Sequence, residues 1–111
     1  MDIGEMVRQG DVILMRVATL PKEARKVGRA GRIVVEHGET TGHAHAILEP
    51  NVTLYNVAAD AERVAGQYLE VTGDVAVLVH EEHGAHVLDP GVYQRWYQVE
   101  SDGEEERRVR D

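Results

Sequence analysis

Short apolar runs, each closed by Gly, Pro, Asn or Asp, divide this chain along its whole length, a spacing that suits the strands of a small all-β domain. Gly10 and Asp11 open the run Val12 to Val17, and Pro21 closes it. Ile33 to Val35 and His43 to Leu48 follow, and Pro50-Asn51 separates the latter from Val52 to Val57 as in a hairpin. Tyr68 to Val71 and Val75 to Val79 flank Gly73-Asp74, where Gly at the first central position predicts a type II′ hairpin. In Asp89-Pro90-Gly91-Val92, Pro and Gly take the central positions of a type II turn, predicting a hairpin between His86 to Leu88 and Tyr93 to Val99. Only Ala58 to Ala65 has good helix formers; Asp60 as a cap and Gly66 as a stop limit it to two turns. The expected fold is all-β, a small single-domain barrel or sandwich with at most one short helix.

A chain of 111 residues accommodates one domain. Its 42% hydrophobic content supports a core, and with four Tyr, one Trp and no Phe that core must be aliphatic. The β domain is expected over residues 1–99. Residues 100–111, ESDGEEERRVRD, are almost wholly charged and are expected to be a disordered tail. A formal charge of −8 argues against nucleic acid as the partner. The absence of cysteine excludes disulfides and thiolate ligands, so any metal site must use nitrogen and oxygen. Met1 to Gly10 lacks the long apolar run of a signal peptide or spanning helix, so a soluble, cytoplasmic protein with no membrane partner is expected.

All six histidines fall in two windows: His37, His43 and His45 in the first, His80, His83 and His86 in the second. In a strand, His43 and His45 project to one side with Ile47, while Ala44, Ala46 and Leu48 project to the other. Side-by-side imidazoles can share one ion at about 2.0–2.1 Å if a facing segment supplies further ligands. By the same alternation His80 shares a face with Ala76 and Leu78, and His86 with Leu88, whereas His83 sits in a connection. His37, beside Gly38 in a turn, reads as a surface residue. Glu39, Glu49, Glu81 and Glu82 lie near enough in sequence to act as oxygen ligands or to orient a ring. Glu49 completes an HxHxxxE pattern with His43 and His45. Candidate metal ligands are therefore His43, His45, Glu49, His80, His83 and His86, for a divalent transition metal such as Zn, Fe, Mn or Ni.

The run Gly38-Glu39-Thr40-Thr41-Gly42-His43-Ala44-His45-Ala46-Ile47-Leu48-Glu49 resembles the first motif of the cupins, small β-barrel proteins. The spacer before the histidines is one residue short of that motif, and Asn56 stands where its final Gly would be. The second cupin motif is met in part, by Gly84, five residues and Pro90, with Gly91 directly after and no histidine beyond. The resemblance implies that His43, His45 and Glu49 match metal ligands, with His80, His83 or His86 in place of the last one. TGHAHAI and HEEHGAHVLDPGVY are also similar to segments of small bacterial and phage-associated proteins, a likeness that names no activity.

Five basic residues, Lys22, Arg25, Lys26, Arg29 and Arg32, sit together without interleaved aromatics and read as a solvated loop. Tyr93 and Tyr97 share a strand face opposite Trp96, so one face closes the core and the other suits a homo-oligomer contact. Ser101, the only serine, lies in the charged tail, which leaves no nucleophilic triad to argue. Two functions follow as expectations. One is a small metal-binding β protein, extending to a cupin-like metalloenzyme acting on a small molecule. The other is a non-catalytic binding or assembly module for a phage or host protein, with structural or pH-sensing histidines.

Overall fold

Alternating burial is the local signature of the fold. In β2 (Val12–Val17), Val12 and Leu14 are fully buried while Ile13 and Met15 between them are partly exposed. This is a strand with one face turned to a core. The computed structural model describes residues 1–28, 32–37, 43–59, 65–97, 99–101 and 106–108. Its first sheet comprises β1 (Met6–Gln9), β2, β3 (Arg25–Lys26), β6 (Val52–Val57), β7 (Gly66–Val71) and β10 (Gly91–Tyr97), in the order β1-β2-β10-β7-β6-β3. The second comprises β4 (Ile33–His37), β5 (Ala44–Ile47), β8 (Ala76–Val79) and β9 (His86–Leu88), in the order β4-β5-β8-β9. Every described pairing is antiparallel.

The two sheets share no strand among the described residues, so the all-β domain is a sandwich and not a closed barrel. Between them lies one aliphatic core. β2 supplies Val12 and Leu14, β4 supplies Ile33 and Val35, and β5 supplies Ile47. Leu69, Val71, Ala76, Leu78 and Leu88 join them around Tyr93, the one aromatic ring in the cluster. Each fully buried Val, Leu or Ile side chain contributes about 1.5–3 kcal/mol. On β10, Arg95 is also buried and points across the sandwich, where its Nη2 lies 3.2 Å from Glu36 Oε1 on β4. Trp96, on the other face, is 43% exposed.

Three expected hairpins are instead corners between the sheets. β7 pairs with β6 and β10, whereas β8 pairs with β5 and β9, so Gly73-Asp74 carries the chain from one sheet to the other. The same holds for Pro50-Asn51 between β5 and β6, and for Asp89-Pro90 between β9 and β10. Asn51 ties two of these corners together, its Nδ2 donating to Thr72 O at 3.0 Å and Asp74 O at 2.7 Å. Gly73 has φ +76° and Gly91 φ +152°, and a Cβ on Gly91 would fall on the Arg16 guanidinium. Glycine is therefore needed at both corners, as the turn chemistry predicts, but the chain does not fold back on the preceding strand. The tight two-residue turn is at Gly10-Asp11, where Gln9 faces Val12 and Gly10 has φ +57°.

Most of the segment expected to hold a short helix lies outside the described residues. Among those described there is no helix. In the segment expected to be a charged tail, β11 (Val99–Ser101) and β12 (Glu106–Arg108) pair with each other, separate from the sandwich. The expected basic loop contains β3, two exposed residues paired to β6.

Candidate metal centre

The site follows from strand register. β5 and β8 run antiparallel with Ala46 opposite Val79 and Ile47 opposite Leu78. One step further along that register, His45 comes across from His80, and their ring centroids are 4.3 Å apart. The next position sets Ala44 against Glu81, whose Oε2 accepts the Ala44 N–H at 3.0 Å. A further step sets His43 against Glu82, with Nδ1 and Oε1 3.7 Å apart. The inward face that carries Ile47 and Leu78 into the core thus continues as imidazole.

Four rings gather there. His43 meets His80 edge-on at 5.7 Å, and His83 lies 4.6 Å from His80 and 5.8 Å from His45. A metal–nitrogen bond of about 2.05 Å places a ligating ring centre roughly 3.2 Å from the ion. Ligand angles of about 90–110° then separate two centres by about 4.5–5.2 Å, close to the spacings in this cluster. Within it, ligand atoms of His43, His80 and Glu81 all lie within 4.8 Å of one another, the one such group of three among the described residues.

Hydrogen bonds fix the hydrogens on two rings. His80 Nδ1 accepts the backbone N–H groups of Glu82 at 3.1 Å and His83 at 3.3 Å, so a neutral His80 carries its hydrogen on Nε2, 4.0 Å from Glu81 Oε2. His45 is fully buried, and its Nδ1 lies 2.9 Å from Gln9 Oε1. Its Nε2 lies 3.6 Å from Asp11 Oδ1, and Asp11 is itself 2% exposed. Glu81 titrates below its ordinary value of 4.5, first because the Ala44 N–H stabilises its charged form, then through its own N–H. Burial opposes that shift, and the nearby His43 and His80 add to it. Glu81 is therefore a carboxylate at neutral pH.

Of the six candidate ligands, His43, His45, His80 and His83 come together. Glu49 does not join them: its Oε1 accepts the Val77 N–H at 3.3 Å. His86 lies opposite Leu78 on β9, outside the ring contacts. Nothing is described for the side chain of His37 or for Glu39. Glu81 and Glu82, weighed only as company for the histidines, both line the cluster. Sequence reasoning missed Gln9 and Asp11. The signal for Gln9 was present, since it shares the inward period-2 face of β1 with Val7, where an apolar residue belongs.

No helix among the described residues is long and apolar enough to cross a membrane. No curated protein and no solved structure matches the chain. Residues 8–98, which carry both histidine windows, Gln9 and Asp11, match the model of the family described as Domain of unknown function (DUF8820), and the chain belongs to that family.

Proposed function

We propose that this protein binds a divalent transition metal at the junction of its two histidine windows, through His43, Glu81 and His80, which gives up its bonds from the Glu82 and His83 amides to free a lone pair for the ion, with His45 and His83 beside them. The observation that carries the reading is the meeting of four imidazoles from sequence-distant segments with an ionised, solvent-exposed carboxylate, Glu81, at their edge. A mixed nitrogen and oxygen donor set suits Zn, Fe, Mn or Ni. Three protein ligands would leave coordination positions for water or an oxygen-bearing small molecule, the arrangement a metal-dependent enzyme uses as a Lewis acid. Glu81 brings the negative charge that favours a cation, and its bond from Ala44 holds it in place. The test is metal analysis of protein purified without a polyhistidine tag, followed by titration with Zn²⁺ and Co²⁺. About one equivalent bound supports the reading. Less than about a tenth of an equivalent, with no uptake on titration, ends it.

A second reading has support of its own. His80 already holds the amides of Glu82 and His83, and His45 is hydrogen-bonded inside the protein, which are structural roles. A non-catalytic binding or assembly module would use the histidines in this way. It predicts that His43→Ala/His45→Ala lowers the melting temperature or changes the oligomeric state. An unchanged melting curve and elution volume contradict it.

A further inference from the structure

Gln9 is 1% exposed, at the end of β1 and beneath the histidine cluster, and its carboxamide makes three contacts. Nε2 donates to Leu78 O at 3.0 Å and to Gly84 O at 2.8 Å. Oε1 faces His45 Nδ1 at 2.9 Å. The amide cannot be turned over, because that would set its oxygen against two carbonyl oxygens that donate nothing. With both N–H groups directed at carbonyls, the side of Gln9 facing His45 is an acceptor only. His45 Nδ1 must therefore carry a hydrogen.

We propose that Gln9 is a positioning residue for the metal centre: it locks His45 in the Nδ1–H form, which puts the ring's lone pair on Nε2, and it clamps the turn bearing His80 and His83. The clamp follows from where the two carbonyls lie. Leu78 and Gly84 bracket the segment 79–83, so one side chain from the first sheet holds both ends of the second window and one ring of the first. Were His45 to join His43, His80 and Glu81 on the ion, loss of Gln9 would weaken binding by about 10–100-fold, as is typical when a ligating imidazole loses the acceptor of its other N–H. Nε2 of His45 lies 3.6 Å from the buried Asp11 Oδ1, so a neutral ring with its hydrogen on Nδ1 sets its lone pair toward that carboxyl group.

This inference rests on the metal reading for its consequence, but its structural core is measured without metal. Long-range ¹H–¹⁵N correlation spectra of the metal-free protein at about pH 8, well above the ordinary imidazole value, report which nitrogen of His45 is protonated. The expected result is a hydrogen on Nδ1 and none on Nε2. In Gln9→Met, which has similar length but no acceptor, the Nε2–H form should appear and Zn²⁺ affinity should fall about 10–100-fold. A hydrogen on Nε2 of His45 in the unsubstituted protein overturns the proposal, as does a folded Gln9→Met protein with unchanged His45 spectra. If Gln9→Met fails to fold, the spectrum of the unsubstituted protein still decides. Should that protein bind no metal yet show the Nδ1–H form, the metal reading fails while the role of Gln9 in orienting His45 stands.

Discussion

Two register steps along the pairing of β5 and β8 separate two very different pairs on the same face. Ile47 opposite Leu78 is buried and aliphatic, whereas His45 across from His80 brings two imidazoles to the same inward face. The aliphatic pair contributes through removal of apolar area from water, which tolerates no polar partner and needs none. The imidazole pair is hidden from water only because Gln9 and the amides of Glu82 and His83 supply hydrogen bonds, and burial without them is costly. A domain this small has little stability to spare, so a polar end to its interior must be matched closely by hydrogen bonds, as it is here. If the cluster binds metal as proposed, stability and binding rest on same-face residues two positions apart, and substitutions should separate them.

The largest effect should come from the aliphatic pair. Leu78→Ala removes a fully buried side chain and should destabilise the fold by about 2–5 kcal/mol, read as a lower urea midpoint with an unchanged slope. His80→Ala, two residues on, should cost about 1 kcal/mol of stability while weakening Zn²⁺ binding by more than about 100-fold, or about 2.7 kcal/mol. If the two variants had the same profile, the division between the pairs would disappear. Calorimetry and denaturation on each protein make the comparison.

A finer distinction concerns acid. Glu81 is held below its ordinary value of 4.5, so its stabilising contribution is complete above 4.5 and is lost as pH falls through its lower folded value. Glu81→Gln should therefore flatten the decline in melting temperature below pH 4.5, leaving stability at pH 7 to 8 with no such step. An unaltered acid limb would show that the bond from Ala44 does not hold this carboxylate. The smallest effect is expected at Leu48, next to Ile47 but 63% exposed, where Leu48→Ser should change stability by no more than about 0.5 kcal/mol.

Strand content and facing were legible in the sequence, because both follow from period-2 alternation. His43, His45 and Ile47 on one face, and Ala76, Leu78 and His80 on another, could be read directly, and the core cluster contains Ile47, Ala76 and Leu78. Sheet membership was not legible. Gly73 and Gly91 encode sharp changes of direction through their backbone freedom, and a corner between sheets needs the same residues as a hairpin. What decides between them is the partner strand, which lies far away in sequence. Glu49 shows the same limit: its spacing from His45 is suggestive, but the pairing of β5 with β8 directs it to the Val77 amide. Gln9 and Asp11 come from a turn some 35 residues before His45, and only the packing of one sheet on the other brings them beneath it.

The most direct test is diffraction from crystals soaked in or grown with Zn²⁺, recorded on both sides of the zinc absorption edge. Convergence of the two histidine windows on a shared ion predicts one strong anomalous peak in contact with His43, His80 and Glu81. Rings arranged around water with no peak among them would contradict it.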